Sequence, residues 1–296
     1  MAMESIDAAT VIEFSAQVHV AAQQAKARLR PFTQIKPMSG KAFAYDGLGQ
    51  VEASEVIGRH QPVVFGDLNH NRRKISRRRF VLTLPIDASD VRSMLLNPEG
   101  EYASACARAM ERVYDRIVVE AMFAAVLTGE DFATSVTAAN DGVSTVTATA
   151  GLTYAKLLEA GKNFIDSDVG TDVPEKLLLG ISGDEHSALM QEVELVSGDF
   201  SSQYAIDKGR MVNAAGFDLV LFAGGATRPV LDVTGGVRTC FAMSSRAMCV
   251  GLSKDMTLKV EDRPDLVETK QVQIIFDLGA VRTEGKLIQK VTTTDA

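Results

Sequence analysis

Histidine and cysteine are the residues of this 296-residue chain best suited to metal binding or nucleophilic chemistry, and their spacing supports neither. His19, His60, His70 and His186 stand far apart, with no HExxH pair and no carboxylate or thiol partner at metal-ligand spacing. Cys106, Cys240 and Cys249 form no CxxC, so neither a zinc ribbon nor a disulfide framework is indicated, and the cytosol of the producing cell is the natural compartment. GISG at 180–183 approaches a nucleophile elbow but lacks the GxSxG spacing that builds the strained turn. Neither GxxxxGK[ST] nor GxGxxG occurs, and the pairs Gly224-Gly225 and Gly235-Gly236 read as turns instead of phosphate cradles. His186 lies in GDEHS, whose acidic residues suit a helix N-terminus. The expectation is a protein that is not an enzyme, with no catalytic residue, no cofactor and no metal.

Charge is the sharper signal. NHNRRKISRRR at 69–79 holds Arg72, Arg73, Lys74, Arg77, Arg78 and Arg79. Between Gln50 and Arg79 seven basic residues face three acidic ones, a local balance of +4 in a chain of net charge -7, which leaves -11 elsewhere. Three readings stand: a solvated loop, a contact with phosphates, or a contact with an acidic surface of another subunit. Base recognition would interleave aromatics with the cations, and only Phe65 and Phe80 flank the run. An inter-subunit contact is the most economical of the three.

The elements that must carry this segment follow from periodicity. A helix is predicted over 5–30, acidic early and basic late, ended by Pro31, with an extended arm over 31–50. VEASEVIG at 51–58 and RFVLTLPI at 79–86 read as the paired limbs of a long hairpin with the basic run at its tip. From Asn97 as N-cap and Pro98, a single helix is predicted to Thr128, stopped by Gly129, with Cys106, Met110, Val113, Ile117, Ala121 and Ala124 on one stripe. At 1.5 Å per residue such a helix spans roughly 42–45 Å, well beyond an ordinary globular one. A helix at 152–168, a buried strand KLLLGIS, a helix capped at Ser182 or Asp184, and apolar runs at 217–224 and 240–252 suggest a lobe around a central sheet. Met256, Leu258 and Val260, then Val272, Ile274 and Phe276, alternate with polar residues before a last strand at 287–291.

Bulk composition bounds the rest. With 46% hydrophobic and 23% charged residues the chain can form a substantial core, and its length suits one compact unit of two lobes. An acidic balance argues against a surface that is wholly a nucleic-acid footprint. Glu4 and Asp7 stand where a secretory signal would carry Lys or Arg, and no apolar run reaches the 18 or so residues of a membrane span, so a soluble, unexported protein is expected.

The order of these pieces resembles the Hong Kong 97-type fold of tailed-phage major capsid proteins. GLTYAKLLEAGKNFIDSDVGTDVPEKLLLGISGDEHSALM is similar to that family's helix, loop, strand and helix of the A-domain, and MVNAAGFDLVLFAG to its segment where a glycine and an aromatic lead into a strand. SSRAMCVGLSKDMTLKVEDRPDLVETKQVQIIFDLGAVRTEGKLIQKV resembles its closing P-domain strands. The resemblance implies an α+β chain with an N-terminal arm at 1–50, an E-loop at 51–86, a P-domain at 87–129 and 251–296 containing a spine helix at 97–128, and an A-domain at 130–250. It implies a protein that assembles with itself into hexamers and pentamers of an icosahedral shell around double-stranded DNA, in the virion head, built in the host bacterial cytoplasm. A separate scaffolding protein, a portal and non-specific contact with packaged DNA are implied in the same way, and a membrane is not. Arg72, Arg73, Lys74, Arg77, Arg78 and Arg79 become candidate inter-subunit contacts at the E-loop tip. Some relatives cross-link through a lysine of this loop, but nothing around Lys74 supports that chemistry. The alternatives are an encapsulin-like nanocompartment shell and, from another class, a nucleic-acid-binding protein using 69–79.

Overall fold

The computed structural model describes residues 23–53, 55, 58, 65–87, 99–147, 151–170, 175–192, 206–207, 210–224, 229–263, 265 and 269–294. In chain order these form β1 (Gln34–Pro37), β2 (Ala42–Leu48), β3 (His70–Ser76), β4 (Arg78–Asp87) and α1 (Glu99–Phe123). Then come β5 (Val126–Thr128), β6 (Thr134–Val136), β7 (Ser144–Thr147), α2 (Tyr154–Asp166), β8 (Leu177–Ile181) and α3 (Gly183–Gln191). Short strands β9 (Ile206–Asp207), β10 (Arg210–Met211) and β11 (Asn213–Ala214) precede β12 (Phe217–Leu221) and β13 (Val233–Thr234). The chain closes with β14 (Val237–Ser244), β15 (Met248–Arg263), β16 (Thr269–Arg282) and β17 (Ile288–Thr294). It divides into two units, the smaller made of Met1–Lys26, Arg79–Glu111 and Lys254–Phe276, the larger of Ala27–Arg78, Arg112–Ser253 and Asp277–Ala296.

The larger unit holds the main sheet, in the order β11-β12-β8-β14-β17-β7, with β13 added to β14. Its central strands are continuous apolar runs because both faces are covered. Leu178, Leu179, Ile181, Cys240, Phe241, Ala242 and Met243 are wholly buried. One covering layer is α2, whose Leu157, Ala160 and Phe164 recur at three and four residues and are buried. Phe164 meets Phe217 at 6.0 Å between centroids, and Gln289 on β17 donates to the Ala160 carbonyl at 2.9 Å. Gly180 is required beneath Phe241, since any side chain there would run into that ring. The same unit contains a second sheet, β2-β3-β5-β6, and β1 runs parallel to the start of β15, Gln34 opposite Cys249.

In the smaller unit β16 pairs with β15 on one side and β4 on the other, and Gln273 donates to the Thr83 hydroxyl at 3.3 Å. Val272, Ile274 and Phe276 are buried as the alternation predicts. Leu258 and Val260 keep the alternation but are 44% and 45% exposed. A period of two fixes which face a residue occupies, not whether that face is covered.

Several predicted boundaries need correction. Of the helix expected at 5–30, residues 5–22 lie outside the described residues, and 23–29 are irregular, with bends at 26, 28 and 29, not helix. There the backbone N–H groups of Arg28 and Leu29 donate to the Asp115 carboxylate at 2.9 and 3.0 Å instead of closing helical turns. Asp115 is therefore wholly buried, although it lies off the apolar stripe predicted for α1. The expected cap at Asn97 and Pro98 also lies outside the described residues. At its other end α1 stops at Phe123, not Thr128, because Arg282 donates to the Met122 carbonyl at 3.4 Å and also to that of Ala124, satisfying terminal carbonyls there. Val126–Thr128 pairs instead with β6, Val126 opposite Val136. Among the described residues no helix is long and apolar enough to cross a membrane.

Candidate functional site

The basic run is not the tip of a hairpin. Its first part is β3, which pairs antiparallel along its whole length with β2, from Ala42 opposite Ser76 to Leu48 opposite His70. Residues 79–86, expected to be one limb, belong to β4 beside β16, and the described part of 51–58 carries no strand. The cause is local packing. Ile75 is wholly buried in a cluster with Met38, Val126, Cys249 and Val281, and Phe43 and Tyr45 of β2 close over it. Once Ile75 points inward, strand alternation sends Arg73 inward as well. The two strands are thus the root of the segment that joins them, of which residues 49–53, 55, 58 and 65–69 are described.

Arg73 is 2% exposed and bidentate, its Nη1 and Nη2 each 2.7 Å from an oxygen of Asp141. Arg282, wholly buried, gives its Nε to the same carboxylate at 2.6 Å and its Nη2 to the Val136 carbonyl at 3.1 Å. Arg73 also donates to the Arg282 carbonyl at 3.3 Å. Gly285 is needed beside this group, since a side chain there would strike the Asp141 backbone. Burial opposes ionisation of Asp141, but hydrogen bonds from Arg73 and Arg282, together with their charges, outweigh it and hold the carboxyl below the usual range. One carboxylate thereby ties the arm root, the end of α1 and the end of β16 into one network. Neither Asp141 nor Arg282 was a candidate from sequence. An Asp in AANDG looks like any turn residue, and the partners are far apart in the chain.

The other five basic residues are dispersed. Arg72 pairs with Asp46 at 2.7 Å and Arg78 with Glu120 at 2.9 Å, all four side chains well exposed. Lys74 lies 5.7 Å from the centroid of the Phe132 ring. The Arg77 side chain is exposed while its backbone N–H donates to the Lys41 carbonyl at 3.0 Å. Arg79 is exposed and belongs to the smaller unit.

At the start of α3, Ser182 is the N-cap of a full capping box with Glu185. Glu185 also accepts from Thr293 at 2.8 Å and pairs with Arg238 at 3.2 Å. The Ser182 hydroxyl is wholly buried and occupied by these cap bonds, a structural role for the GISG serine. His186 accepts the Met211 backbone N–H at 3.1 Å on Nε2. All three cysteines are buried and reduced. Burial pushes the Cys249 thiol up to about 11 and raises Cys240 and Cys106 as well.

A family model described as phage capsid protein matches residues 6–294. No curated protein matches the chain. Among solved structures, the chain is similar to the capsid of the cyanophage P-SCSP1u, at 12% identity and TM-score 0.73, covering 98% of this chain and 95% of that one. It is similar to the acid-stable capsid of Helicobacter pylori bacteriophage KHP30, at 10% identity and TM-score 0.73 over 99% and 98% of the two chains. The capsid of Ralstonia phage GP4 matches at 9% identity and TM-score 0.70, over 97% and 96%. The fold is the α+β Hong Kong 97-type fold that the order of elements suggested.

Proposed function

The chain belongs to the phage capsid protein family and is a shell-forming structural subunit of a virion head, and from that premise we propose that its copies close as hexamers and pentamers into an icosahedral shell around double-stranded DNA. The observation that carries this reading is the family match along 6–294 of the 296 residues, joined to a fold likeness over nearly the full length. We assign the arm that springs from β2 and β3 as the E-loop, α1 as the spine helix, the main-sheet lobe as the A-domain and the long strands β15 and β16 as part of the P-domain. The E-loop lies on a neighbouring subunit, where a segment with little core of its own gains stability from its partner.

The protein acts by assembly and not by catalysis: many weak contacts, repeated by symmetry, sum to a stable shell. Assembly takes place in the host bacterial cytoplasm with a separate scaffolding protein and a portal, and the shell meets packaged DNA only through non-specific contacts. Of the candidate contacts, Arg72, Lys74, Arg77, Arg78 and Arg79 face outward enough to meet a neighbour directly, whereas Arg73 supports the arm from within. The purified chain, alone or with its scaffolding protein, is expected to yield capsomers or hollow particles by electron microscopy. A strictly monomeric species under every assembly condition would overturn the proposal.

A further inference from the structure

Arg73 keeps one hydrogen-bonding fork that its own chain leaves open. A guanidinium carries five N–H donors in a fixed plane. Asp141 accepts one from each of Nη1 and Nη2 at 2.7 Å, and the Arg282 carbonyl accepts the other from Nη1 at 3.3 Å. Nε is buried and has no hydrogen-bond partner among the described residues. In a planar guanidinium the second N–H of Nη2 runs parallel to the Nε–H, and such a pair takes two oxygens of one oxyanion. A buried donor left unpaired is unfavourable, so a missing acceptor is the feature to explain.

Charge is unbalanced in the same sense. Arg73 and Arg282, both buried, share the single carboxylate of Asp141. The other partners of Arg282 are the neutral carbonyls of Met122, Ala124 and Val136. The trio therefore holds one uncompensated positive charge where water screens it least. Arg73 and Asp141 line a cavity of about 450 Å³ within the larger unit, and Asn71, Glu284 and Lys286 belong to the same wall. Asn71 precedes Arg73 by two residues in β3, so the two share a face of the strand. Glu284 bears the wrong sign for an anion, but Lys286 stands 3.6 Å from it and balances it.

We propose that this cavity binds one small oxyanion of the phosphate type, seated on the Nε–Nη2 fork of Arg73. The parallel donors, the residual positive charge and the amide of Asn71 all suit its oxygens. At 2% exposure Arg73 is open to a small ion and not to the backbone of a nucleic acid duplex. The ion completes the hydrogen bonds of Arg73 and, through Asp141, steadies the joint of β3, α1 and β16. The site needs one chain only, so it stands apart from the shell-forming reading.

The test is equilibrium dialysis of the full, unassembled chain against radiolabelled inorganic phosphate, with ionic strength held constant by chloride. Wild type is expected to bind one phosphate per chain, saturably. Asn71→Asp sets a carboxylate beside the fork, and Lys286→Glu reverses a charge in the wall. Neither position is buried, and circular dichroism checks the fold of each variant. Both are expected to weaken binding at least roughly tenfold, because a unit charge in a half-buried site is poorly screened. Lys162→Glu, the same charge reversal on the exposed side of α2, is expected to leave affinity within about twofold. Excess duplex DNA is expected not to displace the phosphate. Wild type without saturable binding, wild-type affinity in Asn71→Asp or Lys286→Glu, an equal loss in Lys162→Glu, or displacement by DNA would each overturn the inference and leave the shell reading intact.

Discussion

Asp141 stands between two buried guanidiniums, so its replacement isolates what one charge contributes. Asp141→Asn keeps the shape but leaves Arg73 and Arg282 facing a neutral amide. Removing one partner of a buried ionic group typically costs about 3–5 kcal/mol, and a loss of that order is expected in the unfolding free energy of the unassembled subunit, measured by urea titration. The pH dependence follows from the direction of the shift. The folded carboxyl sits below its ordinary value of roughly 3.9. Its contribution is therefore fully present above that value and lost as pH falls through the lower folded value. Wild type should lose stability relative to Asp141→Asn only on that acid limb, and parallel curves down to the acid transition would refute the assignment. The thiols give a second residue-level expectation. Buried and shifted upward, Cys240 and Cys249 should react with a thiol reagent at neutral pH only as fast as the chain opens, with all three cysteines labelled once it is unfolded. Rapid labelling of folded protein at either position would contradict the packing.

At the scale of elements, chemistry that is local in sequence was legible and chemistry that is distant was not. The capping box of α3 needs only Ser182 and Glu185, three residues apart, and Ser182 is one of the two caps the sequence offered, the other being Asp184. Ser182→Ala is expected to cost about 1 kcal/mol through the lost cap, measurable by thermal or urea unfolding. The end of α1 shows the opposite case. Nothing in the run from Phe123 to Thr128 forbids helix, and the predicted apolar stripe runs on to Ala124, yet Arg282, remote in sequence, takes the terminal carbonyls and β5 pairs with β6. The β2–β3 pairing was illegible for a related reason. RRKIS offers a single apolar residue, and only the enclosing cluster around Ile75, with Asp141 to neutralise Arg73, turns a polar run into a buried strand. An inward arginine looks like an outward one until its carboxylate is found.

For the whole molecule, the uneven charge raises the question of how far the acidic chain engages nucleic acid. Net charge is -7, and the local excess of positive charge lies around β3 and the start of β4. If all six basic residues of 69–79 neutralised phosphates, the slope of log affinity against log salt would be about -5, at roughly -0.9 per phosphate. Burial removes Arg73, while the exposed pairs of Arg72 and Arg78 and the ring beneath Lys74 compete for three more. Exposed pairs are weak, contributing about 0–1 kcal/mol, so they open at modest cost. Burial of Arg73 is a firmer limit, because extracting it leaves Asp141 and Arg282 without their partner. The free chain is therefore expected to bind duplex DNA through at most five such contacts, with a slope no steeper than about -4.5, and charge reversal at Arg77 should make that slope shallower by about one. A slope as steep as six contacts require would mean that Arg73 leaves Asp141 to meet phosphate, and would shift the root formed by β2 and β3 from shell-building toward nucleic-acid recognition.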